Sequence, residues 1–178
     1  MPSGKTHDVI TLVLAPPTFA AAWGLTGGDW VLATAATAAM LFGGLMFGPD
    51  LDIQSKQYTR WGVFRFLWFP YKVAFRHRSR WSHGIIFGTL IRVVYFAAAV
   101  ALVAWAGVYL RAVYVAGGSA PGWAELVQAW RLIEAGAARY GLGGYFALAV
   151  FAGLWWGAAT HTLTDVAWSV VRKGSEIF

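Results

Sequence analysis

Gly84–Tyr109 reads GIIFGTLIRVVYFAAAVALVAWAGVY, an apolar run broken by one charge, Arg92. A helix needs about 20 such residues to cross a hydrocarbon core of roughly 30 Å. An open chain can satisfy its backbone there only as a helix. Three further runs have the same character: about Val9–Leu25, Trp30–Phe47 and Leu142–Thr160. The expectation is an all-α integral membrane bundle of about four transmembrane helices, at 9–25, 30–47, 84–109 and 142–160, within one domain, 1–178. Pro16-Pro17 should kink or locally unwind the first span.

Composition agrees with that expectation. Of 178 residues, 58% are hydrophobic and only 12% charged. The mean hydropathy of +0.55 is high for a soluble domain. No cleavable signal pattern stands at the start. With no cysteine, disulfides, thiolate metal sites and cysteine nucleophiles are excluded. The net charge of +6 is read as membrane topology, not as a nucleic-acid footprint. With the N-terminus in the cytoplasm, Lys5, Lys56, Arg60, Arg65, Lys72, Arg76, Arg78, Arg80, Arg172 and Lys173 fall inside. Only Arg111, Arg131 and Arg139 fall outside. That asymmetry orients a multi-pass protein of the cell (inner) membrane with both termini cytoplasmic.

Two connections are long. Within residues 53–82, Trp61–Phe75 is too short and too charged to span, which predicts an interfacial or re-entrant segment with its rings at headgroup level. Pro121–Tyr140 alternates charged and apolar residues and predicts an amphipathic helix on the outer surface.

The polar residues are few and concentrated. All four histidines, and four of the eight acidic residues, lie in four patches: His7-Asp8, Asp50 and Asp52, His77 to His83, and His161 to Asp165. Each patch stands at the end of an apolar run. In an up-down bundle, the starts of spans one and three share a face with the ends of spans two and four. Span order and basic-residue asymmetry therefore bring all four patches to the cytoplasmic interface. Ionisable residues at membrane depth are functional by default. Taken singly, each patch could be a cap, a solvated turn or a lipid-facing flank.

Local chemistry supports a shared site. His161 and Asp165 are spaced i,i+4 and share a helix face. Thr6 is expected to cap the first helix, with Asp8 in its first turn. If Pro49–Asp52 is extended, Asp50 and Asp52 point the same way. Ser82 could cap the third span with His83 in its first turn. Histidine with aspartate suits one or two divalent ions, zinc first, with manganese, iron or magnesium as alternatives. A dinuclear site suits phosphoryl or ester hydrolysis. In that reading Arg78 binds the anion and a non-ligating carboxylate such as Asp8 acts as general base. The partners are membrane lipids and a phosphate-bearing lipid substrate. The alternative is a non-catalytic metal-binding, sensing or transport protein. A metal-free histidine phosphatase is disfavoured, because Trp155 stands where an arginine should precede His161.

PSGKTHD at Pro2–Asp8, GPDLD at Gly48–Asp52, HRSRWSHG at His77–Gly84 and HTLTD at His161–Asp165 resemble a bacterial family described as uncharacterised membrane metal-binding proteins. More distantly they are similar to the YdjM-like family, described as membrane-bound metal-dependent hydrolases. The resemblance covers the full length and keeps the motif order. It implies His7, Asp50, Asp52, His77, His83, His161 and Asp165 as metal ligands. Asp8 matches only the closer family.

Overall fold

The computed structural model describes residues 2–77, 79, 81–115, 122–140 and 144–175. Every regular element among them is helical. In chain order these are α1 (Gly4–Leu25), α2 (Trp30–Leu45), a 3-10 turn (Pro49–Asp52), α3 (Lys56–Thr59), a second 3-10 segment (Gly62–Trp68), α4 (Phe69–Ala74), α5 (Phe87–Tyr114), α6 (Trp123–Arg139) and α7 (Tyr145–Ser175).

Three helices are long and apolar enough to cross a membrane: α1, α5 and the Tyr145–Arg172 part of α7. That is consistent with a membrane protein. The expected second span is shorter, since α2 has 16 residues, roughly 24 Å of helix. α5 is apolar but exposed, from Val94 through Leu102, Trp105 and Leu110 to Tyr114. Such a helix needs lipid or a partner around it.

Several boundaries differ from expectation. Ser3, not Thr6, caps α1: its Oγ accepts the Thr6 N–H at 3.3 Å. The first turn therefore holds no acidic residue. The helix runs unbroken through Pro16 and Pro17, so no unwinding occurs there. The third span starts at Phe87 without a side-chain cap. Ser82 and His83 lie in the loop before it. α7 continues past Thr160 to Ser175, so His161 and Asp165 are mid-helix. The helix expected at 121–140 is α6.

α1, α2 and α7 form the bundle, and glycine sets how closely they approach. Gly27 (φ 66°) and Gly28 (φ 88°) turn the chain between α1 and α2, in a left-handed region that costs glycine little. Asp29 then caps α2, accepting from the N–H groups of Val31 and Leu32. On α7, Gly153 and Gly157 are spaced as G-x-x-x-G, the pattern that lets apolar helices pack backbone to backbone. A Cβ on Gly153 would collide with the Ala36 carbonyl of α2, and one on Gly157 with that of Met40. From α2, a Cβ on Gly43 would come within 2.6 Å of the Leu154 carbonyl.

A second core lies under the start of α5. Phe47, Leu51, Tyr58, Trp68 and Tyr71 are buried together. Trp68 stacks on Phe96 of α5 with centroids 5.5 Å apart. Trp61–Phe75 is thus amphipathic. Trp68 and Tyr71 face inward, while Val63, Phe64, Phe66 and Phe69 are exposed. The expected interfacial segment is half packed core, and it anchors the 3-10 turn that carries Asp50 and Asp52.

Candidate metal centre

Leu51 decides where the two aspartates point. It is fully buried in the aromatic core, and the turn around it is 3-10, not extended. Successive side chains of a 3-10 helix lie about 120° apart. With Leu51 inward, Asp50 and Asp52 flank it: both enter one cluster, and Asp50 also reaches a second.

The first cluster is Asp50, Asp52, His77 and His83, with one ligand atom from each lying within 4.8 Å of the others. His77 Nδ1 is 2.9 Å from Asp52 Oδ1. His83 Nε2 is 3.4 Å from Asp50 Oδ1, and its Nδ1 meets Ser82 Oγ at 3.0 Å. The second cluster is His7, His161 and Asp165, within the same limit. His7 Nε2 is 3.4 Å from Asp165 Oδ1. His7 and His161 stack with centroids 3.8 Å apart. His161 Nε2 is also 3.3 Å from Asp50 Oδ2. Asp50 therefore gives one oxygen to each cluster.

Three of these separations suit metal ligation, while the 2.9 Å His77–Asp52 contact is a hydrogen bond. Two ligands about 2.1 Å from one tetrahedral ion lie roughly 3.4 Å apart, whereas a hydrogen bond draws N and O to about 2.9 Å. The His83–Asp50, His161–Asp50 and His7–Asp165 pairs all sit at 3.3–3.4 Å. Among the described residues, Asp50 Oδ1, Asp52 Oδ2, His83 Nε2, His161 Nε2 and Asp165 Oδ1 are buried without a hydrogen-bond partner. Leaving such groups unpaired costs about 1–3 kcal/mol each, and a shared divalent ion removes that cost. Burial pushes the Asp50 carboxyl up, but the His161 and His83 ring nitrogens beside its two oxygens outweigh it and hold the group below the usual carboxylate range. Asp50 is an ionised acceptor at neutral pH, as a ligand must be.

The residues around the clusters hold them in place. Gln57, which sequence reasoning passed over, is buried and ties three pieces together. Its Nε2 donates to the Gly44 carbonyl at 2.7 Å, its Oε1 accepts the Asp50 N–H at 3.2 Å, and its Nε2 lies 3.4 Å from His161 Nδ1. Gly48 makes room for it, since a Cβ there would overlap the Gln57 amide. The glycine of GPDLD was the available signal. Arg92 is buried at 1% exposure and does not snorkel. It donates to the Ser82 carbonyl at 2.6 Å and to Thr89 Oγ1 at 3.1 Å, fixing the loop that presents His83.

Asp8 is held by Arg60, which donates to both carboxylate oxygens at 2.9 and 2.6 Å. Lys56 Nζ is 3.5 Å from the same group. A cleft of about 200 Å³ opens beside them, lined by Gly4, His7, Asp8, Asp50, Lys56 and His161 among others. The structure thus brings together all seven expected ligands and sets Asp8 at the edge. Arg78 lies outside the described residues.

A family of uncharacterized metal-binding proteins, DUF2227, matches residues 2–174. The chain belongs to that family. An uncharacterized protein of Aquifex aeolicus (strain VF5) is 43% identical over 56 residues, covering 31% of this chain and 39% of that protein. No solved structure matches at a significant level. Metal binding by the family and two ligand clusters in one fold are the established points for this chain.

Proposed function

We propose that this DUF2227 protein is a membrane-bound hydrolase with two divalent ions that share Asp50, acting on a lipid or lipid-linked phosphate or ester at the cytoplasmic interface. The observation that carries it is the Asp50 carboxylate, one oxygen toward His83 and the other toward His161. The donor set suits zinc, manganese or iron. His7, His161 and Asp165 would hold one ion, Asp52, His77 and His83 the other, with Asp50 between them. Ions held there supply Lewis acidity, lowering the pKa of a water and neutralising developing negative charge.

The chain's own groups set the stage. Ser82 and Gln57 orient His83 and His161 through their second ring nitrogens, the usual arrangement around metal-ligating histidines. The Arg60 guanidinium on both Asp8 oxygens favours Asp8 as an anchor for Arg60 and Lys56 over the general-base role. The apolar helices and the ten-to-three excess of basic residues support a membrane location with cytoplasmic termini. The motif order shared with YdjM-like proteins belongs to the same proposal.

The test is hydrolysis. Metal-loaded protein in detergent is assayed on a panel of phosphomonoesters, phosphodiesters and phospholipids, with a chelated control. Turnover that the chelator abolishes is expected. Full metal occupancy without turnover on any member contradicts the hydrolase and favours a non-catalytic metal-binding role.

A further inference from the structure

The segment before the first cluster has an apolar face that the fold leaves uncovered. Val63, Phe64, Phe66, Phe69 and Val73 are each at least 59% exposed, while Trp68 between them is fully buried. Two contacts fix where that face lies. Trp68 stacks on Phe96 with centroids 5.5 Å apart, and the Tyr95 hydroxyl donates to the Leu67 carbonyl. Phe96 stands nine residues after Phe87, the first residue of α5, roughly 14 Å along the axis. The segment therefore runs alongside the opening turns of a helix long and apolar enough to cross a membrane. α5 is itself exposed there, at Phe87, Leu90 and Val94. Lipid that covers α5 at this depth meets the segment beside it.

The charge on this stretch has one sign. No acidic residue stands between Asp52 and Glu125. Arg65 is exposed between Phe64 and Phe66, and Arg76 is exposed at the end of the segment. Lys72 Nζ lies 5.2 Å from the centroid of the Tyr58 ring, a contact that holds an ammonium without neutralising it. Among the described residues, no carboxylate pairs with any of the three. Apolar rings at headgroup level beside unpaired cations are complementary to anionic phospholipid. A zwitterionic surface would accept the rings but offer the cations no net charge. Through Arg76 the segment leads to His77, the exposed member of the first cluster.

We propose that residues 62–76 are an anionic-lipid anchor: the exposed rings enter the leaflet beside α5, and Arg65, Lys72 and Arg76 bind phospholipid phosphates. This rests on the membrane location proposed above and adds the class of lipid that borders the metal centre.

The test uses the full chain in lipid nanodiscs, of phosphatidylcholine alone or mixed in equal parts with phosphatidylglycerol. The chain has no cysteine, so Phe64→Cys and Val103→Cys each give a single thiol. The rate of reaction with a charged, water-borne maleimide reports how often that thiol leaves the lipid. Phe64→Cys should react several-fold more slowly in the anionic discs than in phosphatidylcholine. Adding Arg65→Gln or Lys72→Gln should raise its rate on the order of fivefold in the anionic discs, but not in phosphatidylcholine, with metal content unchanged. Added salt should act in the same direction. Equal rates for Phe64→Cys in both discs, or charge variants that leave the anionic rate unchanged, overturn the anchor. Val103→Cys, in the exposed middle of α5, should stay unreactive in both discs. If it reacts freely, the membrane location itself fails.

Discussion

His161, midway along α7, places Nε2 3.3 Å from Oδ2 of Asp50, on the turn that follows α2. This contact ties the last motif of the chain to the second. It depends on how closely α2 and α7 pack.

Gly157 lies one helical turn before His161, and a Cβ there would meet backbone of Met40 and Gly44. Gly157→Leu should push α7 from α2 and separate His161 from Asp50. Overpacking of this kind costs about 1–3 kcal/mol, so a lower Tm in detergent and loss of metal are expected together. Gly107→Leu, on α5 with nothing within 4 Å, should leave both unchanged. Equal effects of the two substitutions would count against close α2–α7 packing as the scaffold of the site.

Arg92 acts through the loop before α5. Arg92→Met leaves the Ser82 carbonyl without its donor, a loss of about 1–3 kcal/mol, and frees His83. The Tm should fall, and the ion held by the first cluster should be lost before the other. Arg92→Lys, which keeps one donor, should recover part of both. If Arg92→Met retains full metal content, the loop does not need this clamp.

Acid should release the metal. The Asp50 carboxyl, raised by burial but lowered further by the adjacent His161 and His83 nitrogens, titrates below the usual range. A depressed carboxyl contributes stability above the unfolded value of ~3.9 and loses it only as pH falls through the lower folded value. Asp50 therefore stays ionised in mild acid. Ligand histidines must be neutral to bind, so protons compete with the metal for them. Metal content after dialysis should fall as the pH is taken from neutral into acid. Retention of full metal at the acid end would mean that the histidines are not ligands.

Much of the site was legible because ligand-type residues are scarce here. With four histidines in 178 residues, each at the end of an apolar run, span order alone brings them to one face. What stayed hidden depended on tertiary contact. Leu51 looks like a spacer in GPDLD, yet it is buried with Trp68 and Tyr71 in a 3-10 turn from which Asp50 reaches both clusters and Asp52 only the first. Thr6 and Ser3 are equally good caps by type, and only the backbone geometry chooses Ser3. Thr160 ends the apolar run, but a helix does not stop where hydropathy does, so α7 continues to Ser175. The G-x-x-x-G of Gly153 and Gly157 was readable and predicts the α2–α7 contact. For Gln57 the only signal was indirect, the glycine at position 48 that leaves room for its amide.

The most direct test of the account is elemental analysis of the purified full chain, wild type beside Asp50→Ala, Asp52→Ala and His161→Ala. The shared carboxylate predicts roughly two divalent ions per chain in the wild type. It predicts about one in Asp52→Ala and in His161→Ala, and fewer than one in Asp50→Ala, since that substitution removes a ligand from both positions. Asp50→Ala with the metal content of the wild type would contradict the shared centre.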